Sequence, residues 1–153
     1  MNSDYNIKYI TEDDIPFLVM LAREVIIKNY SAFLPEDSIK YYLESGQCDN
    51  EIIENIDNYI KLEKNNEVIG FTILLENKLH LIMIANNYQN KGYGKKLLEY
   101  IEEILIKKYS TIELQSFSKN FITNRFYKKN GWENTDKVFN NGIELYKYTK
   151  NKI

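Results

Sequence analysis

The chain has 153 residues, of which 44% are hydrophobic and 27% charged, and its net charge is −2. This length and composition indicate one folded domain spanning residues 1–153. A single cysteine and a single histidine exclude an internal disulfide and a cysteine-built zinc site, so we expect no metal. The apolar runs are too short to span a bilayer and the polar N-terminus lacks a signal-peptide pattern, which predicts a cytoplasmic protein.

The charges are unevenly distributed along the chain. Residues 36–57 hold seven acids against one lysine, whereas residues 87–152 hold thirteen Lys or Arg against seven acids. One interpretation is that both segments are solvated faces of the protein. The other is that the C-terminal half binds an anionic ligand and the acidic segment lies near a cationic one. The charges alone leave both interpretations open.

The first half of the chain predicts a strand, helices and a hairpin. Thr11 and the acids after it predict a helix start with Pro16 in the first turn, and a second helix begins near Pro35 and ends at Gly46. A short helix is expected over Glu51 to Ile56. The predicted strands are Tyr5–Ile10, Ile60–Glu63, Val68–Glu76 and Leu79–Ile84, with a hairpin turn at Asn65-Asn66.

The second half alternates helices and strands. Apolar spacing predicts a helix from Gly92 to about Lys108. The remaining predicted elements are a strand over Thr111–Ser116, a helix over Phe121–Lys129, and a hairpin of Trp132–Phe139 and Ile143–Tyr148. The fold class is therefore α+β, with a mixed sheet of about seven strands and about four helices.

A glycine-containing turn precedes the helix that starts at Gly92. The turn reads Gln89-Asn90-Lys91-Gly92-Tyr93-Gly94 and is followed by Lys95-Lys96. Glycines let the backbone approach a ligand closely, and the N-terminus of the next helix offers free N–H groups and a positive dipole end. With the nearby lysines, the turn predicts a site for an anion such as a pyrophosphate.

Two familiar phosphate loops do not fit this turn. The dinucleotide fingerprint needs a third glycine where Leu97 stands. The P-loop needs a hydroxyl residue after Gly94-Lys95, and Lys96 has none. Taken alone, a Gly-x-Gly turn is also compatible with an ordinary tight turn.

The turn resembles the Gln/Arg-x-x-Gly-x-Gly/Ala motif of the GNAT superfamily of N-acetyltransferases. The segment Asn120 to Trp132 resembles the second signature of that family, Asn-x-x-Ala-x-x-Phe-Tyr followed by Gly-Phe. Thr123 and Trp132 depart mildly from that pattern. Both motifs stand in the family's order, and the predicted elements match its fold over nearly the whole chain.

The resemblance implies that the chain binds acetyl-CoA between two splayed parallel strands, here Leu79–Ile84 and Thr111–Ser116. Main-chain groups of Ile82, Met83 and Ile84 would pair with the pantetheine arm and polarise the thioester carbonyl. The residues implied to bind the donor are Ile82, Met83, Ile84, Gln89, Asn90, Lys91, Gly92, Tyr93, Gly94, Lys95, Asn120 and Tyr127.

The resemblance also assigns catalytic roles. Tyr127 stands where the family has the tyrosine that protonates the leaving thiolate, and a phenol suits that work. Asn120 would cap its helix and contact the pantetheine or a nearby water. His80, on the strand before the turn, is the candidate base. Glu113 and Gln115 holding a water chain, or ordered waters alone, are the alternatives for the base.

In this fold the acceptor enters opposite CoA, over the first two helices and the last hairpin. Tyr30, Tyr41, Tyr42 and the acids of 36–57 would form a rim for a cationic amine, such as a polyamine, aminoglycoside, lysine side chain or peptide N-terminus. Packing of these aromatics onto the sheet is the other interpretation. We expect neither a nucleic-acid nor a membrane partner, and an exposed strand edge at the last hairpin would permit a homodimer.

Two further functions fit parts of the sequence. A non-catalytic or regulatory acyl-CoA-binding module could keep the same fold, but it would not need Tyr127. A nucleic-acid binder would use the basic C-terminal half and be indifferent to CoA. The sequence therefore favours the enzyme and does not name its acceptor.

Overall fold

The computed structural model describes residues 5–54, 58–140 and 142–152. The helices are α1 (Ile15–Asn29), α2 (Glu36–Glu44), α3 (Gln47–Glu54), α4 (Tyr93–Lys108) and α5 (Phe121–Lys129). The strands are β1 (Tyr5–Tyr9), β2 (Tyr59–Lys64), β3 (Glu67–Leu75), β4 (Lys78–Ile84), β5 (Thr111–Phe117), β6 (Glu133–Asn140) and β7 (Ile143–Asn151). Among the described helices, none is both long and apolar enough to cross a membrane.

All seven strands form one mixed sheet in the order β1-β2-β3-β4-β5-β7-β6. Only the central pair, β4 and β5, is parallel, and every other neighbouring pair is antiparallel. The α+β fold predicted from the sequence is confirmed. The C-terminal hairpin supplies one outer edge of the sheet, β6.

The sheet buries a separate apolar cluster on each face. Residues of α1, α2 and α3 pack on one face, where Tyr59, Phe71 and Met83 point. Residues of α4 and α5 pack on the other face, where Ile60, Leu79 and Leu114 point. Neighbours in sequence such as Tyr59 and Ile60 fall into different clusters because successive strand side chains alternate between faces.

The element between residues 47 and 56 differs from its prediction. The short helix was expected over Glu51 to Ile56, but α3 begins four residues earlier, at Gln47. Gly46 has a φ of +84°, which ends α2 and lets the chain start a new helix at once. Cys48 and Ile52, four residues apart, then share the buried side of α3. Asn55 and Ile56, the last two residues of the predicted helix, lie outside the described residues.

Candidate active site

The two central parallel strands separate almost as soon as they meet. The β4–β5 ladder contains two residue pairs, Lys78 with Glu113 and Leu79 with Leu114. On the other side of β4, Ile73 pairs with Leu81 and Leu74 with Leu79, so His80 is an extra residue in the strand. Such a bulge bends a strand and increases its twist. The gap between β4 and β5 therefore opens at His80.

The edge of β4 that faces this gap carries main-chain groups of Ile82 and Ile84. Ala85 N–H donates to the Ile69 carbonyl at 2.8 Å, in the same register as the β3–β4 ladder. Hydrogen-bonded pairs alternate along an antiparallel ladder, so Met83 bonds to β3 while Ile82 and Ile84 turn their N–H and C=O away from it. The ladder thus supports the predicted main-chain role of Ile82 and Ile84. It does not support such a role for Met83, because the main-chain groups of Met83 face β3.

At the open end of the gap lies the turn that precedes α4. Gln89 Nε2 donates to the Ile84 carbonyl at 2.9 Å, and this bond ties the turn to β4. Asn90 and Gly92 have φ values of +62° and +90°. The first helical bond runs from Lys96 N–H to the Gly92 carbonyl. The N–H groups of the three residues between them therefore have no partner within α4.

The space in front of this turn is open. A Cβ built on Gly92 meets no atom within 4 Å. Lys91 lies 5.9 Å from the ring centre of Tyr88, and the exposed Lys95 makes only a 4.0 Å ion pair with Glu99. Tyr93 is held differently, because its hydroxyl accepts a 2.6 Å hydrogen bond from Lys64 Nζ. The turn combines open space, N–H groups without a partner in α4 and exposed lysines, which is the chemistry of an anion site.

Tyr127 is buried on the second face of the sheet. It is 5% exposed, and its ring packs against those of Phe126, Trp132 and Tyr148 at 5.5, 6.2 and 5.8 Å. Burial raises the pKa of Tyr127 far above its ordinary value, and Tyr30 and Tyr148 add to the effect. Tyr127 therefore keeps its proton across the neutral range.

Tyr30 and Tyr127 belong to opposite faces of the sheet. Tyr30 follows α1 and packs against the first apolar cluster, whereas Tyr127 belongs to the second. Electrostatic interaction with Tyr30 contributes to the raised pKa of Tyr127. A contact of Tyr127 with the donor remains a prediction.

Asn120 caps α5 as predicted. Its Oδ1 accepts from the Thr123 N–H at 3.3 Å, which satisfies one free donor of the first helical turn. Asn124, one turn further, donates to the carbonyls of Phe117 and Ser118, both at 3.1 Å. These bonds fix the start of α5 against the end of β5. A contact of Asn120 with the pantetheine remains a prediction.

His80 faces α3 across the first side of the sheet. Its Nε2 lies 2.5 Å from Glu51 Oε1, and its side chain is 41% exposed. The alternative base Glu113 is engaged by two lysines, Lys78 at 3.5 Å and Lys147 at 3.4 Å. Gln115 is exposed on β5. Of the three predicted candidates, His80 alone lies at the bulge where the gap begins.

An open depression of about 750 Å³ adjoins His80. It lies between α2, α3, the β4 bulge and the last hairpin, in the region predicted for the acceptor. Its lining residues are Tyr41, Ser45, Gln47, Asn50, Glu51, Glu54, His80 and Asn140. Of the three predicted rim tyrosines, Tyr41 lines it, while Tyr30 packs against Phe33 and Phe117.

Tyr42 was predicted as a rim tyrosine, whereas Glu51 was not singled out as a site residue from the sequence. Tyr42 Oη donates to Glu51 Oε2 at 2.5 Å, so Glu51 links α2 to His80. The only signal for Glu51 was its membership in the acidic segment. Within the described ranges, no group of three His, Cys, Asp or Glu side chains is arranged to hold a metal ion.

The family model of the acetyltransferase (GNAT) domain matches residues 27–152. The match covers most of the chain, and the splayed strands, the anion-binding turn and α5 all lie within it. The chain belongs to the GNAT family of acetyltransferases, which makes it an N-acetyltransferase by family and fold. No curated protein matches its sequence.

Solved structures share the fold at low sequence identity. The PaiA N-acetyltransferase of Thermoplasma acidophilum, solved in complex with coenzyme A, is 23% identical with a TM-score of 0.77 over 95% of this chain and 98% of its own. A GCN5-related N-acetyltransferase of Rhodopseudomonas palustris gives 0.83 at 12% identity over 99% and 98%. A GNAT acetyltransferase of Bacillus cereus gives 0.73 at 19% identity over 99% of each chain.

Proposed function

We propose that this protein transfers an acetyl group from acetyl-CoA to a primary amine of a cationic acceptor. The observation that carries the proposal is the gap between β4 and β5. It begins at His80 and extends to the N–H groups in the first turn of α4. An extended, amide-bearing chain with a pyrophosphate at one end fits such a gap. The solved complex of the Thermoplasma acidophilum protein with coenzyme A supports this choice of donor.

The donor is expected to lie along β4. Its phosphates accept hydrogen bonds from the N–H groups of Tyr93, Gly94 and Lys95, and Lys91 adds charge. Its pantetheine amides pair with Ile82 and Ile84, as an added strand would. Four residues of strand span about 13 Å from Ile84 to His80, so the thioester comes to rest near the bulge.

The reaction joins the acceptor nitrogen to the acetyl carbon and releases the thiol. The neutral amine attacks the thioester carbonyl, and a main-chain N–H at the edge of β4 stabilises the oxyanion of the tetrahedral intermediate. The C–S bond then breaks as Tyr127 gives its proton to the sulfur. Tyr127 arrives at this step protonated, because its pKa lies far above the neutral range.

The depression beside His80 is the proposed acceptor site. Glu51 and Glu54 supply negative charge, and the exposed Tyr41 supplies a ring face. His80 takes the proton that the attacking amine must lose. An amine that enters this depression meets the thioester beside His80, where the gap begins.

A thermal-shift titration with acetyl-CoA tests the donor site. Free acetyl-CoA at a hundred times its dissociation constant adds roughly 2.7 kcal/mol to the free energy of unfolding. For a chain of this size we expect the melting temperature to rise by about 5–10 °C. Gly92→Ala should abolish the rise, because its Cβ enters the space proposed for the phosphates.

Gly142→Ala is the matched control. Gly142 also has a positive φ, +79°, and open space around an added Cβ, but it lies in the β6–β7 turn. An alanine at either position is held in the left-handed conformation, which destabilises both variants by a similar amount, about 1–2 kcal/mol. A melting temperature of the wild type that does not respond to millimolar acetyl-CoA contradicts the proposed donor. A normal response of the Gly92 variant contradicts the phosphate assignment.

A further inference from the structure

A chain of hydrogen bonds connects α2, α3 and β4 at the floor of the depression. Tyr42 Oη donates to one carboxylate oxygen of Glu51 at 2.5 Å, and the other oxygen lies 2.5 Å from His80 Nε2. Tyr59 Oη donates to the Glu51 main-chain carbonyl at 3.1 Å. Glu51 is thus fixed at both its backbone and its carboxylate.

The protonation states of this chain follow from its surroundings. The hydrogen bond with His80 holds the pKa of Glu51 below its ordinary value despite burial, and the bond from Tyr42 adds to the effect. Burial, and then the bond to Glu51, raises the pKa of Tyr42 far above its ordinary value. Near neutral pH the neutral Tyr42 therefore donates its proton to Glu51, and the ionised Glu51 is an acceptor only.

A fixed anion at Nε2 selects one form of the histidine ring. In the neutral ring one nitrogen carries the proton and the other a lone pair. Because Glu51 only accepts, the proton of neutral His80 lies on Nε2 and the lone pair on Nδ1. In the serine hydrolase triad a carboxylate orients a histidine in the same manner, through the other ring nitrogen.

We propose that Glu51 is a positioning residue that holds His80 with Nδ1 as the basic atom and stabilises the ring once it is protonated. The proposal rests on the proposed function. Nδ1, directly or through one water, takes a proton from the acceptor ammonium, and the resulting neutral amine forms the C–N bond. The half-exposed imidazolium then returns the proton to solvent, so the base is regenerated in each turnover.

Other ionisable groups face this pair from each neighbouring element. They are Tyr41 and Tyr42 of α2, Cys48 and Glu54 of α3, Tyr59 of β2, and Tyr30 at the end of α1. Burial raises the pKa of the Cys48 thiol to about 11 and raises that of Tyr30 and Tyr59. These three groups stay neutral between pH 5 and 9, the range in which a histidine base titrates.

The chain has a single histidine, which permits a direct measurement. NMR of tag-free protein with a ¹⁵N-labelled imidazole should show the Nε2–H tautomer at high pH. In Glu51→Gln the ionic acceptor at Nε2 is lost, so the share of the Nε2–H tautomer should fall. Glu51→Asp keeps an ionic acceptor and should return the share of this tautomer towards that of the wild type.

Kinetics supply the second arm of the test. In Glu51→Gln the plateau of the kcat/KM profile should fall about tenfold or more, and Glu51→Asp should recover part of the loss. Glu103→Gln removes the same charge from an exposed position on α4 and should leave the plateau unchanged. Melting curves of all variants report whether the fold is intact.

The NMR and kinetic measurements distinguish a failure of the proposed function from a failure of the proposed role of Glu51. The NMR measurement needs no acceptor, so a chain that acetylates no amine contradicts the proposed function while the ring can still be observed. In an active enzyme, a ring tautomer that Glu51→Gln leaves unchanged would overturn the role of Glu51. A loss of kcat without any change in the tautomer would overturn it too.

Discussion

Tyr127 and Tyr148 lie side by side and offer a comparison of two buried phenols. Their ring centres are 5.8 Å apart, and both are at least 95% buried. Tyr127 is the proposed acid. We expect Tyr127→Phe to lower kcat by about a hundredfold, because the thiolate then leaves without a proton donor. The acetyl-CoA dissociation constant should change little.

Tyr148→Phe is the control for this prediction. The Tyr148 hydroxyl is buried without a hydrogen-bond partner among the described residues, so its removal should cost no stability. Steady-state kinetics of both variants, with melting curves, separate loss of chemistry from loss of packing. Equal kcat values for Tyr127→Phe and wild type would rule Tyr127 out as the acid.

At the scale of elements, a buried ion pair joins the start of α1 to β2. Lys61 Nζ lies 2.9 Å from Asp14 Oδ1 and 2.9 Å from Glu63 Oε2, and the Lys61 side chain is 8% exposed. The Thr11 N–H donates to the other oxygen of Asp14 at 2.8 Å. Burial opposes ionisation of Asp14, but the bonds from Thr11 and Lys61 outweigh it, so its pKa is lowered.

This ion pair makes stability depend on pH. A carboxylate with a lowered folded pKa contributes stability that is fully present above its unfolded pKa, about 3.9, and is lost as pH falls through the folded pKa. Asp14→Asn should cost about 3 kcal/mol at pH 7, because it leaves Lys61 buried with one partner fewer. The difference from wild type should shrink below about pH 4.

Urea unfolding at pH 7 and at pH 3 measures both values. Asp13→Asn, which changes an exposed neighbour, should cost less than about 0.5 kcal/mol at either pH. A difference between Asp14→Asn and wild type that is the same at both pH values would show that the ion pair is not its source.

Most elements were predictable because local signals delimit them. Asn65 and Asn66 both adopt positive φ in the predicted hairpin turn, and α5 has its predicted bounds, Phe121–Lys129. The bulge at His80 was not predictable, since it depends on the register between β3 and β4. The start of α3 was misjudged because Gly46 was read only as a stop signal and not as a link between two helices.

At the scale of the whole molecule, the two charged regions lie where the proposed substrates would bind. Acidic residues of α3 line the depression, and Lys91 and Lys95 flank the turn before α4. The sequence left this division open beside the interpretation of two solvated faces, and it could not predict that Glu51 and His80, 29 residues apart, are in contact. That contact forms only when α3 packs beside β4.

The acceptor preference follows from the acidic depression. We expect an alkyl diamine to have a kcat/KM roughly tenfold above that of the monoamine of equal length, because its second cation lies near Glu54. The advantage should fall as salt is added and should narrow in Glu54→Gln. Release of CoA measures each rate, with Glu103→Gln on α4 as the exposed control. A monoamine that reacts as well as the diamine contradicts a cationic acceptor.

The two-pair ladder between β4 and β5 has a mechanical consequence. It divides the seven strands into a four-stranded and a three-stranded leaf that share one short hinge at Leu79 and Leu114. Beyond the hinge β4 continues for five residues, paired with β3, over about 17 Å, so a rotation of the four-stranded leaf by about 5° moves the Ile84 end by roughly 1.5 Å. Small adjustments at the hinge thus become larger displacements at the mouth of the cleft, where the donor is proposed to enter.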